Sequence, residues 1–237
     1  MIKLYGMGSP NVVKIFIALE EMGLPYEVAP VDVFTGKQFD AEFMKLNPNA
    51  KVPVIVDPNG PDGKPFTCFE SGAILLYLAE KSGKFLSTHM AIKYEEIQWL
   101  MVQMSTVGPM FGQHVHFVRF APKGNDYAQS RYTTQAIRVS EVIEQRLAHH
   151  AYLGGAHYSV ADMATFPWSR NIPALLGEET AKKFPHTNAW IAKIAERPAV
   201  KAALAKVADV VGKTTPFTKA EPEHLDKLFG RGTHAHA

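Results

Sequence analysis

Two patterns of apolar and polar positions alternate along the first part of the chain. Runs of β-compatible residues bounded by turn residues predict four short strands, over residues 2–5, 26–31, 52–56 and 66–69. Apolar residues recur at helical spacing after Ser9-Pro10 and after Ser71, and a short helix is predicted over residues 39–46. The order β-α-β-α-β-β-α over residues 1–82 predicts one small α/β domain.

From residue 89 onward the pattern is helical only. Apolar positions at helical spacing predict helices over residues 90–117, 127–147, 184–195 and 199–207. Gly108-Pro109 is expected to kink the first of these helices. The segment from Ser159 to Asp162 matches the S/T-x-x-D/E capping signal and predicts another helix start. We therefore expect an all-helical domain over residues 89–210, followed by a polar tail without a predicted helix over 211–237.

Composition and charge narrow the class of protein. The 46% hydrophobic and 20% charged residues are ordinary for a globular chain and exclude wholesale disorder and a fibrous repeat. The net charge is +2 and no Lys/Arg stripe is present, so we expect no nucleic-acid partner. No run approaches the roughly 18 to 20 apolar residues of a membrane span. The first residues have the pattern of a strand instead of a signal peptide, so a cytoplasmic location is expected.

The chain has one cysteine, Cys68. One thiol can form neither an intramolecular disulfide nor a metal site built from several cysteines. Cys68 falls in the predicted strand 66–69, where a buried structural thiol is the expected interpretation. No metal site is expected, because the histidines that stand near one another lack partner ligands, namely His114 and His116, His149 and His150, and His234 and His236. Thiol chemistry must therefore use Cys68 itself or a sulfur that a ligand supplies.

Four stretches of sequence carry a family resemblance, GSPN at 8–11, NPNAKVP at 47–53, FESGAILLYL at 69–78 and GPMFGQ at 108–113. With them the chain resembles the cytosolic glutathione transferases over residues 1–208. It is most similar to the bacterial Nu class and the glutathione-dependent disulfide-bond oxidoreductases, which are relatives of the yeast nitrogen regulator. The resemblance implies an α/β thioredoxin-like N-terminal domain plus an all-α C-terminal domain, and a homodimer. It also implies glutathione as a co-substrate.

Glu70 and Ser71 suit the γ-glutamyl end of glutathione. Ser71 opens a predicted helix, and the unpaired N–H groups and dipole of a helix N-terminus attract an anion. The resemblance implies that Ser71 meets the γ-glutamyl carboxylate and that Glu70 meets the ammonium. The alternative is a plain N-cap serine beside an exposed acid.

The Val52-Pro53 pair suits the middle of glutathione. Only about 5–6% of X–Pro bonds in folded proteins are cis, but the resemblance implies a cis-proline loop here. The backbone of Val52 would then pair with the cysteinyl unit, as a short added strand does. The resemblance also implies that Lys51 and Gln38 meet the glycyl carboxylate. The alternatives are a solvated lysine and an ordinary loop amide.

The sulfur is expected at the first turn of the first helix, where thioredoxins carry C-x-x-C and this chain has Ser9 and Asn11. A helix N-terminus with hydrogen-bond donors favours a thiolate. We favour Asn11 over Ser9 for the contact with sulfur, because Ser9 is a good N-cap in any case, whereas asparagine is a poor helix former. Arg131 is implied to reach the glutathione of the neighbouring subunit, and its alternative is a solvated helix arginine.

The function expected from these residues is glutathione-dependent reduction of disulfides by the glutathione thiolate. Two alternatives remain open. One is a transferase or lyase in which the same thiolate attacks an aryl ether or another electrophilic carbon. The other is a glutathione-binding regulator with little turnover.

Overall fold

The computed structural model describes residues 1–235. The chain forms two compact units. The first unit combines residues 1–74 with the C-terminal residues from Ala202 onward, and the second unit is residues 75–201. The domain boundaries at residues 82, 89 and 210 stay a prediction.

A four-stranded mixed sheet forms the centre of the first unit. Its strands are β1 (Ile2–Gly6), β2 (Tyr26–Pro30), β3 (Val54–Asp57) and β4 (Phe66–Phe69), in the order β2-β1-β3-β4. β1 and β2 are parallel, whereas β3 is antiparallel to both β1 and β4. The four predicted strands are confirmed. β3 begins two residues later than predicted because Pro53 has no N–H to donate to a neighbouring strand.

Three helices follow the strands of this unit in sequence, α1 (Pro10–Met22), α2 (Ala41–Leu46) and α3 (Ser71–Ser82). Every residue of α1 from Val12 to Leu19 is buried, so this helix has no solvent-facing stripe in its middle. Gly23 ends α1 as predicted, with φ +70° and its N–H donated to the carbonyls of Leu19 and Glu20.

The second unit is helical, with α4 (Met90–Val102), α5 (Gly108–Val115), α6 (Asp126–Leu147), α7 (Val160–Ser169), α8 (Ile172–Leu176), α9 (Glu178–Ala181) and α10 (Pro185–Ala195). The segment predicted as one helix over 90–117 contains π-helical turns at 103–107 and 116–120. The first π turn ends just before Gly108-Pro109, because Pro109 lacks the N–H that a regular α-turn needs. The pattern missed α8 and α9, which are too short to show a period.

The predicted capping signal at the start of α7 is confirmed. Ser159 Oγ accepts from the Ala161 N–H at 3.3 Å, and the Asp162 carboxylate accepts from the Ser159 N–H at 3.0 Å. Asp162 also accepts from the Leu153 N–H and from Trp190 Nε1, both at 2.9 Å. Burial raises the pKa of this carboxyl to about 6. Asp162 therefore ties α7 and α10 to the loop before α7.

The C-terminal residues complete the first unit. They contain the end of α11 (Pro198–Val211) and α12 (Pro222–Phe229). The Thr215 N–H donates to the Asp32 carboxylate at 2.7 Å, and the rings of Phe34 and Phe217 meet edge to face at 5.8 Å. The predicted tail therefore packs on the segment after β2. The pattern missed α12 because eight residues that begin at a proline give little periodicity.

None of the helices in residues 1–235 combines the length and apolar character needed to cross a membrane.

Candidate functional site

The first turn of α1 carries Ser9 and Asn11. Ser9 stands at the N-cap position, and its carbonyl accepts from the N–H groups of Val12 and Val13 at 2.9 and 3.0 Å. Ser9 is thus the N-cap residue, as predicted, but its hydroxyl makes no capping hydrogen bond. Asn11 is half-buried one residue into the helix. Both side chains thus stand at the positively polarised end of α1, where an anion is favoured.

The loop before β3 contains a cis peptide bond between Val52 and Pro53, as predicted. Asn47, which is 1% exposed, shapes this loop from within. Its Nδ2 donates to the Lys51 carbonyl at 2.7 Å, and its Oδ1 accepts from the Asn49 N–H at 3.0 Å. The Lys51 side chain is exposed. Val52 packs against a buried apolar cluster formed by Val31, Phe43 and Val54.

Glu70 and Ser71 form the turn between β4 and α3. Glu70 has φ +70°, a left-handed conformation that is costly for any residue other than glycine. Its carbonyl accepts from the Ile74 N–H at 2.9 Å, so the N-cap position is Glu70, and the prediction that Ser71 caps the helix is wrong by one residue. Glu70 is exposed, and Ser71 is 4% exposed. The chain thus holds a strained acid beside a helix N-terminus, an arrangement typical of a ligand site.

Lys14, which the sequence analysis did not single out, contacts one of the predicted site residues. It lies in the middle of α1, is 1% exposed, and its Nζ donates to Ser71 Oγ at 3.1 Å. Burial lowers the pKa of Lys14 to about 7, and the Glu70 carboxylate acts in the opposite direction. A signal was available, because Lys14 is the one charged residue in the otherwise apolar run from Val12 to Leu19.

The lowered pKa of Lys14 predicts a pH-dependent stability. The folded protein releases the proton at about pH 7, whereas an unfolded lysine releases it near pH 10.5. The unfolded state therefore binds more protons between these values, and the contribution of Lys14 to the free energy of unfolding rises with pH. We expect urea unfolding at pH 7 and pH 9 to show this rise in the wild type. A Lys14→Met variant should lose it, and an equal rise in both proteins would contradict the assignment.

The Gln38 side chain is almost fully buried, although the resemblance implies that it contacts glutathione. It lies in a turn at Lys37–Phe39, is 1% exposed, and neither its Oε1 nor its Nε2 has a hydrogen-bond partner within residues 1–235. Buried amides without partners are rare, and each one costs free energy. The side chain fits a ligand that offers hydrogen bonds, but a neighbouring group must move before a ligand can reach it.

Arg131 and Cys68 are the two remaining residues discussed from the sequence. Arg131 is exposed on α6 in the second unit. Cys68 is 8% exposed in β4, and burial raises the pKa of its thiol, which disfavours a reactive thiolate.

The described residues contain no group of three or more His, Cys, Asp or Glu side chains that could hold a metal ion. His236, part of the histidine set in the sequence analysis, lies outside the described residues.

Both units match known family models. Residues 8–81 match the glutathione S-transferase N-terminal domain, and residues 101–198 match the glutathione S-transferase C-terminal domain. The fold predicted from the sequence is thereby confirmed as an α/β thioredoxin-like N-terminal domain followed by an all-α C-terminal domain.

Individual relatives agree with the family models. The chain is 42% identical over 208 residues to the protein named disulfide-bond oxidoreductase YfcG from Escherichia coli (strain K12), covering 87% of this chain and 95% of that protein. A glutathione transferase from Burkholderia graminis, solved with two glutathione molecules per subunit, is 47% identical with a TM-score of 0.82, covering 86% of this chain and 87% of that one. A glutathione transferase from Pseudomonas putida, solved with one glutathione disulfide per subunit, is 42% identical with a TM-score of 0.80, covering 86% and 90%. The chain belongs to the glutathione S-transferase family.

Proposed function

We propose that this protein binds glutathione in its first unit and uses the glutathione thiolate to reduce disulfides. The observation that carries the proposal is the first turn of α1, where Ser9 and Asn11 occupy a helix N-terminus suited to a thiolate. The only cysteine, Cys68, is buried and its thiol has a raised pKa, so the attacking sulfur has to be that of glutathione. The name of the Escherichia coli relative and the glutathione disulfide in the Pseudomonas putida structure support the same chemistry.

The γ-glutamyl end of glutathione is assigned to the turn at Glu70 and Ser71. The ligand carries a carboxylate and an ammonium on one carbon, and the turn offers a helix N-terminus beside a carboxylate. The carboxylate binds at Ser71, where backbone N–H groups and a hydroxyl can donate. The ammonium binds at the exposed carboxylate of Glu70. The left-handed φ of Glu70 supports this assignment, because strained residues persist mainly at functional sites.

The rest of glutathione is assigned to the loop before β3. The backbone of Val52 pairs with the cysteinyl unit of glutathione, as a short added strand does. Lys51 is exposed and binds the glycyl carboxylate as a positive charge. Gln38 also binds this carboxylate, after the group that buries its side chain has moved.

The reaction is thiol–disulfide exchange. The Asn11 amide and the Ser9 hydroxyl donate hydrogen bonds that favour the thiolate form of glutathione. The thiolate attacks one sulfur of the substrate disulfide and releases the other sulfur as a thiolate, which takes up a proton. A second glutathione then attacks the mixed disulfide, so that glutathione disulfide forms and the remaining substrate thiol is released.

We also propose that the protein belongs to the Nu class and acts in the cytoplasm as a homodimer, with domains at 1–82 and 89–210. Arg131 then reaches the glutathione of the partner subunit, for which its exposure on α6 is favourable.

The test is a steady-state assay of the wild-type protein with glutathione and bis(hydroxyethyl) disulfide, coupled to glutathione reductase and NADPH. We expect NADPH oxidation well above the uncatalysed rate, and little conjugation of an activated aryl chloride or cleavage of an aryl β-ether. Tight glutathione binding without disulfide turnover would sink the oxidoreductase assignment. Turnover of the carbon electrophiles would then identify a transferase or lyase, and no turnover at all would favour the regulator.

A Glu70→Gln variant tests the γ-glutamyl assignment. It removes the charge that pairs with the ammonium while it keeps the size of the side chain. A hydrogen bond to a charged group contributes about 1.5–3 kcal/mol, so KM for glutathione should rise roughly tenfold to one hundredfold. We expect kcat at saturating glutathione to change little. Glu27→Gln is the control, because Glu27 is exposed on β2 and pairs with Lys3 at 3.7 Å. Equal KM values for both variants would contradict the assignment.

A Gln38→Met variant should affect stability and binding in opposite directions. Replacing the buried amide with an apolar side chain of similar size removes two polar groups without partners, so the protein alone should be more stable by about 1 kcal/mol. Thermal unfolding with and without glutathione measures both effects. The stabilisation that glutathione adds should shrink. Gln145→Met on the exposed surface of α6 is the control. A full glutathione effect in Gln38→Met would remove Gln38 from the site.

A further inference from the structure

Lys14 is a buried cation that takes no part in the steps of thiol–disulfide exchange. Lysine is almost never fully buried unless its ammonium is paired, because removing the charge from water is costly. Here the ammonium sits inside the first unit, at 1% exposure, on the helix whose first turn carries Ser9 and Asn11. An apolar residue at this position of α1 would avoid the cost.

The contact of Lys14 is with a proposed ligand-binding residue. Its Nζ donates to Ser71 Oγ at 3.1 Å across 57 positions of sequence. A hydroxyl oxygen can accept this bond while its hydrogen points elsewhere. Donation from a cation also polarises the hydroxyl and makes it a stronger donor to an anion. Ser71 therefore connects the ammonium to whatever carboxylate binds at the start of α3.

The charges around Ser71 match the two charges of an α-amino acid group. The Lys14 ammonium donates to Ser71 Oγ and interacts electrostatically with the carboxylate of Glu70, the residue before Ser71. The γ-glutamyl group brings an ammonium for Glu70 and a carboxylate for Lys14. This pairing gives each ligand charge an opposite charge in the protein.

We propose that Lys14 is a positioning residue of the glutathione site, which places a positive charge behind the Ser71 hydroxyl to hold the γ-glutamyl carboxylate. The assignment rests on the proposed function. Lys14 acts through Ser71 and stands apart from the sulfur chemistry, so it governs KM for glutathione and leaves kcat nearly unchanged.

Binding of the γ-glutamyl carboxylate should be coupled to protonation of Lys14. Burial lowers the pKa of Lys14 to about 7, so near neutral pH only part of the protein carries the charge. The group facing it from the turn before α3 is the Glu70 carboxylate, and α1 itself has no other charged residue between Pro10 and Leu19. A bound carboxylate favours the charged form and raises the pKa again. Binding must therefore take up a proton, and the affinity must fall as pH rises.

The first measurement needs only the wild-type protein. Isothermal titration calorimetry with S-methylglutathione, whose thiol is blocked, is run at pH 7.5 in phosphate and in Tris. The difference in heat between the buffers reports protons exchanged on binding. We expect an uptake of roughly half a proton per site. Binding without any proton uptake would overturn the role of Lys14 while leaving the proposed function intact.

The second measurement compares Lys14→Met with wild type between pH 6 and pH 9. The affinity of the wild type for S-methylglutathione should fall about tenfold from pH 6 to pH 9. The Lys14→Met variant should have the low affinity that the wild type has at pH 9 at every pH, and it should take up no proton on binding. The ligand ionises equally with both proteins, so the ratio of affinities isolates Lys14. Lys3→Met is the control, because Lys3 lies on β1 with its side chain 43% exposed. A Lys14→Arg variant that folds should restore binding without the decline at high pH.

The outcomes distinguish a failure of the Lys14 role from a failure of the proposed function. Disulfide turnover with a pH-dependent ratio of affinities supports both the function and Lys14. Disulfide turnover with a constant ratio and no proton uptake rejects Lys14 alone. Absence of both binding and turnover in the wild type rejects the function and, with it, the role of Lys14. If Lys14→Met does not fold, the wild-type proton uptake decides.

Discussion

Replacing Asp162 with alanine is expected to lower the free energy of unfolding by about 3–5 kcal/mol. Three residues donate four hydrogen bonds to this carboxylate, from the Leu153 N–H, from Trp190 Nε1 and from both the N–H and the hydroxyl of Ser159. Asp162 is fully buried, so alanine would leave these donors without a partner and without water. Each buried donor left unsatisfied costs about 1–3 kcal/mol, and partial relaxation of the loop keeps the total below the sum.

Urea unfolding at pH 7 measures the effect, because the pKa of about 6 leaves the carboxyl mostly ionised there. Asp162→Asn should fall between wild type and Asp162→Ala, since its amide oxygen can still accept while its NH₂ opposes a donor. Asp126→Ala is the matched control, an exposed acid in the first turn of α6. A loss below about 1 kcal/mol in Asp162→Ala would contradict the structural role of this carboxylate.

Asn11→Ala is expected to have the largest effect on turnover. Removing one donor aimed at a developing or stored negative charge typically costs about 10²–10³ in rate. We expect kcat/KM for disulfide reduction to fall by about one hundredfold. The pH–rate profile should also shift to higher pH, because a glutathione thiol without this donor ionises less readily.

Two further variants make the Asn11 result specific. Asn11→Asp keeps the size but brings a negative charge to the thiolate, so it should be at least as slow as Asn11→Ala. Ser9→Ala should cost less, because we favour the amide over the hydroxyl as the main donor. The assay is the coupled disulfide assay, with binding of S-methylglutathione as the check that the site is intact. A larger loss in Ser9→Ala than in Asn11→Ala would reverse the assignment.

Features that depend on neighbouring residues could be predicted from the sequence. The strands, α1, and the Ser159–Asp162 capping box follow from periodicity and from short-range side-chain chemistry, and all are present. The helix start at Ser71 was also predicted, but the backbone assigns the cap to Glu70. A positive φ at a non-glycine residue such as Glu70 is imposed by closure of the loop, so the local sequence pattern does not predict it.

Features that join distant parts of the chain could not be predicted. Lys14 reads as an interruption of an apolar helix until the fold brings Ser71 beside it. Gln38 was predicted as a ligand-binding amide, and its nearly complete burial emerges only from packing. The resemblance to the glutathione transferases implies which residues meet the ligand. Their burial, hydrogen bonds and pKa shifts depend on the three-dimensional arrangement.

The first unit is assembled from two segments that are far apart in sequence, and this affects how the protein folds during synthesis. Ion pairing of Lys206 with Glu20 and the hydrogen bond from Thr215 to Asp32 join segments more than 180 positions apart. A ribosome that adds about 5–20 residues per second completes the second unit first, since residues 75–201 precede the closing segment. The nascent β-sheet therefore stays without its C-terminal cover for several seconds, during which chaperones can bind it.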